Sequence, residues 1–342
     1  MPKPTVHDIA QEAGVSLATV DRVLNDRPGV RDRTIQRVRA AIDKLGYVRD
    51  TYAANLARQK AYTFVFVLPE GPSSFIDVVR EAIGEASTSQ MAERVTIRVL
   101  SVPQNDPHGV VRCLLTLNPG KIDGVAIMAP ETPQVRDAVW RLKNAGLAVA
   151  TLFSDLPEPV RDHYVGINSY SAGRTAALLM GRFLRGVRGS VMVVTGTLQA
   201  RDSIERRHGF DEVMQRDFPD LTVLPTLEFH DDTSRIDRLV GTVARQTRDL
   251  AGVYSMGAGN QALLAALRKT GRLDEMTVIA HELTAVTRQA LLAGEVDAVI
   301  AQNVGHLVRS AVRVLRAKCD SVDIFAAQEK IRIDIVTREN LP

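Results

Sequence analysis

The sequence is poor in the features that mark secreted, membrane-spanning or metal-binding proteins. It has two cysteines in 342 residues, Cys113 and Cys319, which are too few for a disulfide framework and lack C-x-x-C spacing. No apolar run reaches the roughly 18 residues that a membrane span needs. The first residues show no basic segment leading into an apolar one, as a secretory signal would. We therefore expect a cytoplasmic protein with packed thiols, no metal site and no membrane partner.

The charge that is present is unevenly placed. The whole chain carries a net charge of +3, and residues 1–61 contain eleven Lys/Arg against seven Asp/Glu. The remaining residues are therefore close to neutral, and the basic excess lies in the first sixth of the chain. Such an excess is typical of a segment that meets a polyanion, although small solvated domains also carry it. The length indicates more than one domain.

Signals for three short helices follow one another at the N-terminus. Thr5 is a good N-cap for a first helix that runs to about Ala13, and Gly14 ends it. Ser16 would cap a second helix, and apolar spacing predicts a third over Asp32–Leu45. Two helices joined by a short glycine-containing turn predict a helix-turn-helix.

The second helix would present an exposed face beside its buried valines. That face carries Leu17, Ala18, Asp21 and Arg22. The guanidinium of Arg22 can bind the edge of a guanine with two hydrogen bonds. This favours a DNA-reading helix over an ordinary helical hairpin, which stays the alternative.

The N-terminal segment resembles the headpiece of the LacI family of bacterial repressors. The resemblance is carried by TVHDIAQEAGVSLATVDRVLNDRPGV, by RVRAAIDKLGY and, as a hinge helix, by YAANLARQK. It implies that Leu17, Ala18 and Arg22 face bases in the major groove. The residues that it places near phosphates are Thr5, Ser16, Thr19, Asn25 and Thr34. It also implies that Leu56 enters the minor groove as an apolar wedge, with Ala53 beside it. Leu17-Ala18 and Asp21 depart from the family's usual residues, so the operator sequence cannot be read from the chain.

From Tyr62 onwards, short apolar runs alternate with helical stretches. Runs such as FVFVLP, GVAIMAP, SVMVVTG and MTVIAHE indicate buried strands. This alternation predicts doubly wound parallel sheets, and the number of strands predicts two of them. The predicted fold is therefore multidomain, with a small all-α headpiece followed by a two-lobed α/β domain. The predicted bounds are 1–48 for the headpiece, 49–61 for the hinge helix, 62–165 with 303–325 for the first lobe, and 166–302 with 326–342 for the second.

Isolated polar residues stand where several of these strands end. Ligands of such sheets bind outside the carboxyl ends of the strands. Carboxylates, amides, an arginine and an aromatic ring suit a sugar or polyol, although each residue alone could equally be a loop residue or helix cap. The candidate effector-binding residues are Phe75, Asp155, Asn168, Arg206, Asn260, Glu282 and Gln302.

Residues 62–342 resemble the effector domain of the same family, which is similar to ribose-type periplasmic binding proteins. The resemblance is carried by Asp155 and by Arg206 in RRHGF, whereas Glu282 stands where the family usually has aspartate. Asn168-Ser169 and GAGN also depart from the usual residues, so the ligand stays open. The resemblance implies a homodimeric repressor on a pseudo-palindromic double-stranded DNA operator. Its small effector would be a sugar, polyol or sugar-derived metabolite.

The sequence also has features of two other classes of protein, a Rossmann dehydrogenase and a secreted solute-binding protein. GAGNQA at 257–262 fits the G-x-G-x-x-[GA] dinucleotide fingerprint, but a full α/β lobe precedes it and no His–carboxylate pair stands out nearby. A secreted solute-binding protein would share the α/β domain but not the headpiece. His281-Glu282 begins the zinc motif H-E-x-x-H, but Ala285 replaces its second histidine. We predict no enzyme, no cofactor and no catalytic residue.

Overall fold

The computed structural model describes residues 4–24, 27–47, 60–71, 73–104, 106–230, 232–257 and 259–342. The chain divides into two compact units, residues 1–60 and residues 61–342. The predicted DNA contact Asn25 lies outside the described residues. So do residues 49–59 of the predicted hinge, with Ala53 and Leu56 among them. Their roles stay predictions.

The first unit contains the three predicted helices. They are α1 (Val6–Ala13), α2 (Leu17–Leu24) and α3 (Asp32–Leu45). Thr5 and Asp8 form a capping box at the start of α1, in which the Thr5 amide donates to Asp8 Oδ2 at 2.7 Å. Gly14 ends α1 at a φ of 60°, the left-handed region that favours glycine. Ile9, Val20 and Val38, one from each helix, are fully buried together, so all three helices share one core.

The turn between α1 and α2 is held from the third helix. Arg37 Nη2 donates to the carbonyl oxygens of Ala13 and Gly14, at 3.2 Å for the latter. These carbonyls have no partner within α1, because the last turn of a helix leaves its oxygens unpaired. The arginine therefore fixes the angle at which α2 leaves α1.

The second unit is an α/β structure of twelve strands and ten helices among its described residues. The strands are β1 (Tyr62–Glu70), β2 (Val95–Pro103), β3 (Gly124–Ile127), β4 (Ala148–Leu152), β5 (His163–Val165), β6 (Gly189–Thr195), β7 (Leu221–Val223), β8 (Leu227–Glu228), β9 (Leu250–Ser255), β10 (Thr277–His281), β11 (Ala298–Ala301) and β12 (Asp334–Val336). The helices are α4 (Ser74–Gln90), α5 (Pro107–Leu115), α6 (Pro133–Asn144), α7 (Ser169–Phe183), α8 (Arg201–Asp217), α9 (Thr233–Gln246), α10 (Asn260–Thr270), α11 (Ala285–Ala293), α12 (Val304–Asp320) and α13 (Ala326–Glu329).

The strands form two sheets, as the alternation of strands and helices predicts. The first sheet has the order β2-β1-β3-β4-β5, and every pair in it is parallel. The second has the order β12-β11-β10-β9-β6-β7, with β8 also paired to β6, and only β12 runs antiparallel. Each sheet is covered on both faces by buried apolar clusters, which explains why the strands are apolar along their whole length.

The chain passes between the two lobes three times. After β5 it continues into α7, which packs against β10 and β11 of the second sheet, and after β11 it continues into α12, which packs against β3 and β4. The last crossing leads to β12. The predicted bounds place 326–342 in the second lobe, but α13 contacts α12. Its buried Glu329 accepts hydrogen bonds from Arg313 Nε at 2.8 Å and from Ser310. A buried carboxylate needs such partners, and they lie in the first lobe.

Candidate functional site

Buried polar side chains gather at the carboxyl edge of the second sheet. Arg206 on α8, Glu282 after β10 and Gln302 after β11 are 3%, 6% and 6% exposed. Arg206 Nη2 lies 3.3 Å from Glu282 Oε1, and Gln302 Nε2 donates to the same oxygen at 3.0 Å. These three residues, with the neighbouring Asn260 and His281, are called the buried polar cluster below. Helix α8 and the end of strand β11, which are distant in sequence, thus both contact the carboxylate of Glu282.

The charge of Arg206 is matched by carboxylates on two sides. Besides Glu282, Asp202 lies one helical turn earlier, with 3.9 Å between its Oδ2 and Arg206 Nη2. Burial works against the charged guanidinium, but these two carboxylates outweigh it and hold the pKa of Arg206 above its ordinary value. Burial raises the pKa of Glu282, against the opposing effects of Arg206 and the hydrogen bond from Gln302. Arg206 Nη1 donates to the Met256 carbonyl at 2.6 Å.

A glycine contact between two helices sets the position of Arg206. A Cβ atom at Gly173 of α7 would lie 2.0 Å from the Arg206 carbonyl oxygen. A Cβ at Gly209 of α8 would lie 2.1 Å from the Tyr170 carbonyl oxygen, so the two backbones touch at these glycines. Phe210 stacks on Tyr254 of β9 with ring centroids 4.4 Å apart. In RRHGF, therefore, the arginine enters the cluster, the glycine permits the helix contact and the phenylalanine packs in the core.

Asn260 and His281 connect the cluster to strand β9 and to each other through hydrogen bonds. Asn260 Nδ2 donates to the His281 carbonyl at 2.9 Å, and Ser255 Oγ donates to Asn260 Oδ1 at 2.6 Å. His281 Nε2 lies 2.8 Å from the Tyr254 hydroxyl. Both amide atoms of Asn260 are therefore engaged, and it positions the backbone before Glu282. Glu282 itself has a φ of 68°. A residue other than glycine in that region costs about 1–3 kcal/mol, and such strain is typical of ligand sites.

The other predicted effector residues do not join this cluster. Asp155 is paired with Arg161, whose Nε and Nη2 lie 2.5 and 2.7 Å from its two oxygens. Asn168 is exposed and caps α7, accepting from the Ser171 amide at 2.7 Å. Phe75 is half-buried and packs edge to face against Phe153, with ring centroids 5.0 Å apart. Roles for these three in ligand binding stay predictions.

Several buried polar atoms of both lobes lack a hydrogen-bond partner among the described residues. They include Ser154 Oγ, Ser169 Oγ, Arg206 Nε, His281 Nδ1 and Gln302 Oε1. Buried polar atoms in folded proteins are nearly always paired, so each such atom calls for an explanation. Ser154 follows β4, Ser169 begins α7, and the rest belong to the cluster. A hydroxylated ligand between the lobes would supply the missing partners.

Sequence reasoning missed two residues at this site. Asp202 could have been found, because it lies four residues before Arg206 and therefore on the same helix face. Tyr164 gave no signal, since β5 is only three residues long. Burial raises the pKa of Tyr164, the Asp202 carboxylate raises it further and Arg206 lowers it. The first-lobe tyrosine thus lies within electrostatic range of the second-lobe cluster.

Gly257 and Gly259, in the segment 257–262 that fits the dinucleotide fingerprint, are explained by packing and need no bound nucleotide. Gly259 has a φ of 74°, and a Cβ there would lie 2.3 Å from the Phe229 ring. A Cβ at Gly257 would lie 3.0 Å from Arg206 Nη1. Packing against Phe229 and Arg206 therefore accounts for both glycines without a phosphate. Across the described residues, no three His, Cys, Asp or Glu side chains group as metal ligands would. In the same part of the chain, no helix has the length and apolarity to cross a membrane.

The buried histidine predicts a specific pH dependence of stability. Burial, reinforced by Arg206, holds the pKa of His281 well below its ordinary value of 6.5. The unfolded chain gains a proton as the pH falls through 6.5 while folded His281 stays neutral. This contribution to stability is therefore complete above pH 6.5 and is lost on acidification. One pH unit below 6.5, the loss should be about 1.4 kcal/mol.

Denaturant unfolding at pH 7.5 and 5.5 measures this loss. The single tryptophan, Trp140, lies on α6, so its fluorescence reports on the α/β unit. His281→Gln keeps a partner for the Tyr254 hydroxyl but takes up no proton. The wild type should lose more stability than this variant between the two pH values, and equal losses would contradict the assignment.

In the headpiece, most of the predicted DNA-reading residues lie on the surface. Leu17 is 42% exposed, and Ala18 and Arg22 are exposed beside it on α2. Thr5 and Ser16 are exposed and cap α1 and α2, while Thr19 and Thr34 are half-buried. The Arg22 guanidinium forms no hydrogen bond within the described residues. Asp21 lies 3.3 Å from Arg27, which offsets its negative charge on this face.

Two stretches of the chain match known families. Residues 64–321, well over half of the chain, match the family described as "Periplasmic binding protein domain", and residues 5–50 match "Bacterial regulatory proteins, lacI family". Catabolite control protein A of Streptococcus mutans serotype c is 30% identical over 162 residues, which is 46% of this chain and 47% of that protein. The match thus spans about half the length of this curated relative.

Solved structures resemble the α/β unit. GanP, a glucose-galactose binding protein from Geobacillus stearothermophilus, matches at a TM-score of 0.73 and 19% identity, over 83% of this chain and 99% of its own. A solute binding protein of an ABC transporter from Burkholderia graminis, in complex with D-arabinose, matches at 0.72 and 24% identity, over 82% and 96%. At these identities the likeness concerns the fold. It confirms the predicted two-lobed α/β architecture.

Proposed function

We propose that this chain, which belongs to the lacI family of bacterial regulatory proteins, represses transcription from a specific DNA operator. A small effector would control this repression. The observation that carries the proposal is the contact of Arg206 and Gln302 with the Glu282 carboxylate, beside buried polar atoms that no described residue pairs. Such a group can pair with the hydroxyl or amine groups of a polar ligand. Action on bacterial DNA would place the protein in the cytoplasm.

The surface of α2 supports the DNA partner. The major groove of B-DNA admits one α-helix, and an arginine bidentate to guanine is the commonest specific contact there. Arg22 is exposed and has no hydrogen bond to any described residue, whereas Leu17 and Ala18 can offer only apolar contact, for example to a thymine methyl group. Arg22 is therefore the main candidate for direct reading of a base.

A carbohydrate effector is supported by the hydrogen-bonding groups of the cluster. A carboxylate, an amide and a guanidinium can pair with neighbouring hydroxyl groups of a sugar or polyol. The similar structures from G. stearothermophilus and B. graminis are described with glucose, galactose and D-arabinose. We propose a ligand of this kind between the two lobes, with Phe75 and Asp155 as further candidates from the first lobe.

A homodimer on a pseudo-palindromic site completes the proposal. One headpiece contacts few base pairs, so two copies related by a twofold axis would be needed for useful affinity. A coupling of about 1–3 kcal/mol between effector and DNA sites would suffice for regulation.

Selection of binding sites from a random DNA library tests the DNA half. The wild-type chain should select a pseudo-palindrome. Arg22→Ala should relax the preference at one base pair of each half-site, which is worth about 1–3 kcal/mol. Arg22→Lys keeps the charge but loses the two-pronged geometry, so it should retain salt-dependent affinity and lose the same preference. Unchanged preference in both variants would show that Arg22 does not read a base.

Fluorescence anisotropy on the selected site tests the effector half. A sugar or polyol that stabilises the α/β unit should also change the affinity of the full chain for this DNA, and by linkage DNA should change the affinity for the sugar. Stabilising ligands that leave DNA affinity unchanged would refute regulation by this site. Failure of the wild type to select any site would refute the function as a whole.

A further inference from the structure

We propose that the effector carries no negative charge and is recognised mainly as a hydrogen-bond donor, with Glu282 as the residue that rejects anions. This inference rests on the proposed function, since it narrows the ligand class of the same site. It separates neutral sugars, polyols and amino sugars from sugar acids and sugar phosphates.

The charges around Arg206 disfavour an anionic ligand. One guanidinium, that of Arg206, lies between two carboxylates, Glu282 at 3.3 Å and Asp202 at 3.9 Å. Its Nη1 donates to the Met256 carbonyl, and among the described residues only its Nε finds no partner. An entering carboxylate or phosphate would therefore find the arginine already neutralised and would meet a net negative charge. Unfavourable charge of this kind is how binding sites exclude ligands.

Three acceptor groups near Arg206 can accept hydrogen bonds from a ligand. Gln302 Oε1 accepts no hydrogen bond from the described part of the chain, because the Nε2 end of this amide faces Glu282. Neither Glu282 Oε2 nor the Asp202 carboxylate accepts a hydrogen bond from the described residues. These three groups are acceptors, whereas Arg206 Nε, the atom of the arginine that no described residue pairs, is a donor. Hydroxyl and ammonium groups can donate to them, whereas carboxylate and phosphate oxygens cannot.

Two neighbouring arginines, Arg161 and Arg201, are also paired with carboxylates. In the first lobe, Arg161 binds both oxygens of Asp155. On α8, Arg201 Nε donates to Glu205 at 2.8 Å, and its Nη1 lies 3.7 Å from Glu131 of the first lobe. An anionic ligand would have to break one of these pairs to gain a partner.

Inorganic phosphate probes the role of Glu282 without knowledge of the effector. Glu282→Gln keeps the length of the side chain and a possible contact with Gln302, but it removes one of the two carboxylates beside Arg206. Thermal unfolding of the full chain is followed through Trp140 fluorescence while phosphate replaces chloride at constant ionic strength. Glu295→Gln is the matched control. It also releases an arginine, Arg268, from a two-pronged pair of 2.6 and 2.7 Å, but on the exposed surface.

We expect phosphate to stabilise Glu282→Gln in a saturable way, with an apparent Kd about tenfold or more below that of the wild type. Glu295→Gln should respond as the wild type does. Equal responses of all three proteins would overturn the proposal. If Glu282→Gln fails to fold, Asp202→Asn at the partly exposed second carboxylate provides the same comparison, and its response must again exceed that of the wild type.

Sugars matched in shape but not in charge provide the second arm. The wild type is titrated with D-glucose, D-glucosamine and D-glucuronate and with the corresponding galactose series. Stabilisation by a neutral or amino sugar without its acid supports the proposal. The proposal is overturned if a sugar acid stabilises the protein as much as the matching neutral sugar does, or more. If none of the six acts, the phosphate comparison alone decides.

The two proposals fail in different ways. A protein that changes its DNA affinity on binding a sugar acid would keep the proposed function and lose this inference. A protein that selects no DNA site would lose the function, whereas the response of Glu282→Gln to phosphate would still stand.

Discussion

Gly209→Ala should destabilise the α/β unit by about 3 kcal/mol or more, because the new Cβ would lie 2.1 Å from the Tyr170 carbonyl oxygen. The backbone of α8 fixes the position of this Cβ, and the oxygen belongs to the backbone of α7, so no side-chain rotation can relieve the contact. The helices α7 and α8 would have to separate, and Arg206 and Phe210 would move with α8. Denaturant unfolding followed through Trp140 fluorescence measures the loss.

Gly84→Ala is the matched control for this substitution. Gly84 also lies within a helix, α4, but a Cβ there would meet no atom within 4 Å. Alanine at such a site stabilises a helix by about 0.5–1 kcal/mol, so this variant should be neutral or slightly more stable. If Gly209→Ala behaved like Gly84→Ala, the close crossing of α7 and α8 would be wrong. The glycine of RRHGF would then need a different explanation.

Arg206→Ala should cost about 3–5 kcal/mol of stability at neutral pH, because it leaves the carboxylate of Glu282 buried without its cation. The variant therefore tests the ion pair and is a poor test of ligand binding, since folding and binding would fail together. Unfolding at pH 7 through Trp140 fluorescence measures the cost. Arg268→Ala, which breaks an exposed pair with Glu295, should cost less than about 1 kcal/mol.

A double-mutant cycle isolates the pair itself. Arg206→Ala combined with Glu282→Gln removes both charges, so the double variant should be more stable than Arg206→Ala alone. Additive losses would show that Arg206 and Glu282 do not depend on each other. That outcome would also remove the charge balance on which rejection of anions depends.

Local sequence signals were sufficient for the helices of the headpiece and for the long strands. Thr5 with Asp8, Gly14 and Ser16 are bonded within a few residues, so short-range chemistry decides where α1 and α2 begin and end. The buried strands β1, β6 and β10 are visible as apolar runs because both of their faces are covered. The short strands β5, β7 and β8 have no more than three residues, too few for any period to appear. These short segments are strands because they pair with longer ones, β5 with β4 and both β7 and β8 with β6.

At the candidate site, too, some features follow from local sequence and others depend on tertiary contacts. The chain shows polar residues at strand ends, and Glu282 and Gln302 fit that pattern, whereas Arg206 is marked by its resemblance within RRHGF and lies on α8. Asp155 and Asn168 looked equivalent to them in sequence, but one is paired with Arg161 and the other caps α7. Which strand end meets which helix depends on contacts between residues that are far apart in sequence.

The sequence by itself determined that this protein has a three-helix headpiece and an α/β unit with polar groups at its strand ends, because caps, turns and apolar periods act over a few residues. Only the tertiary structure decided which of those groups share one buried environment. The separation of 76 residues between Arg206 and Glu282 is closed by the crossing of α7 and α8 and by the order of the second sheet. Burial and charge then act on the group as a whole, and neither can be read from one position in the chain.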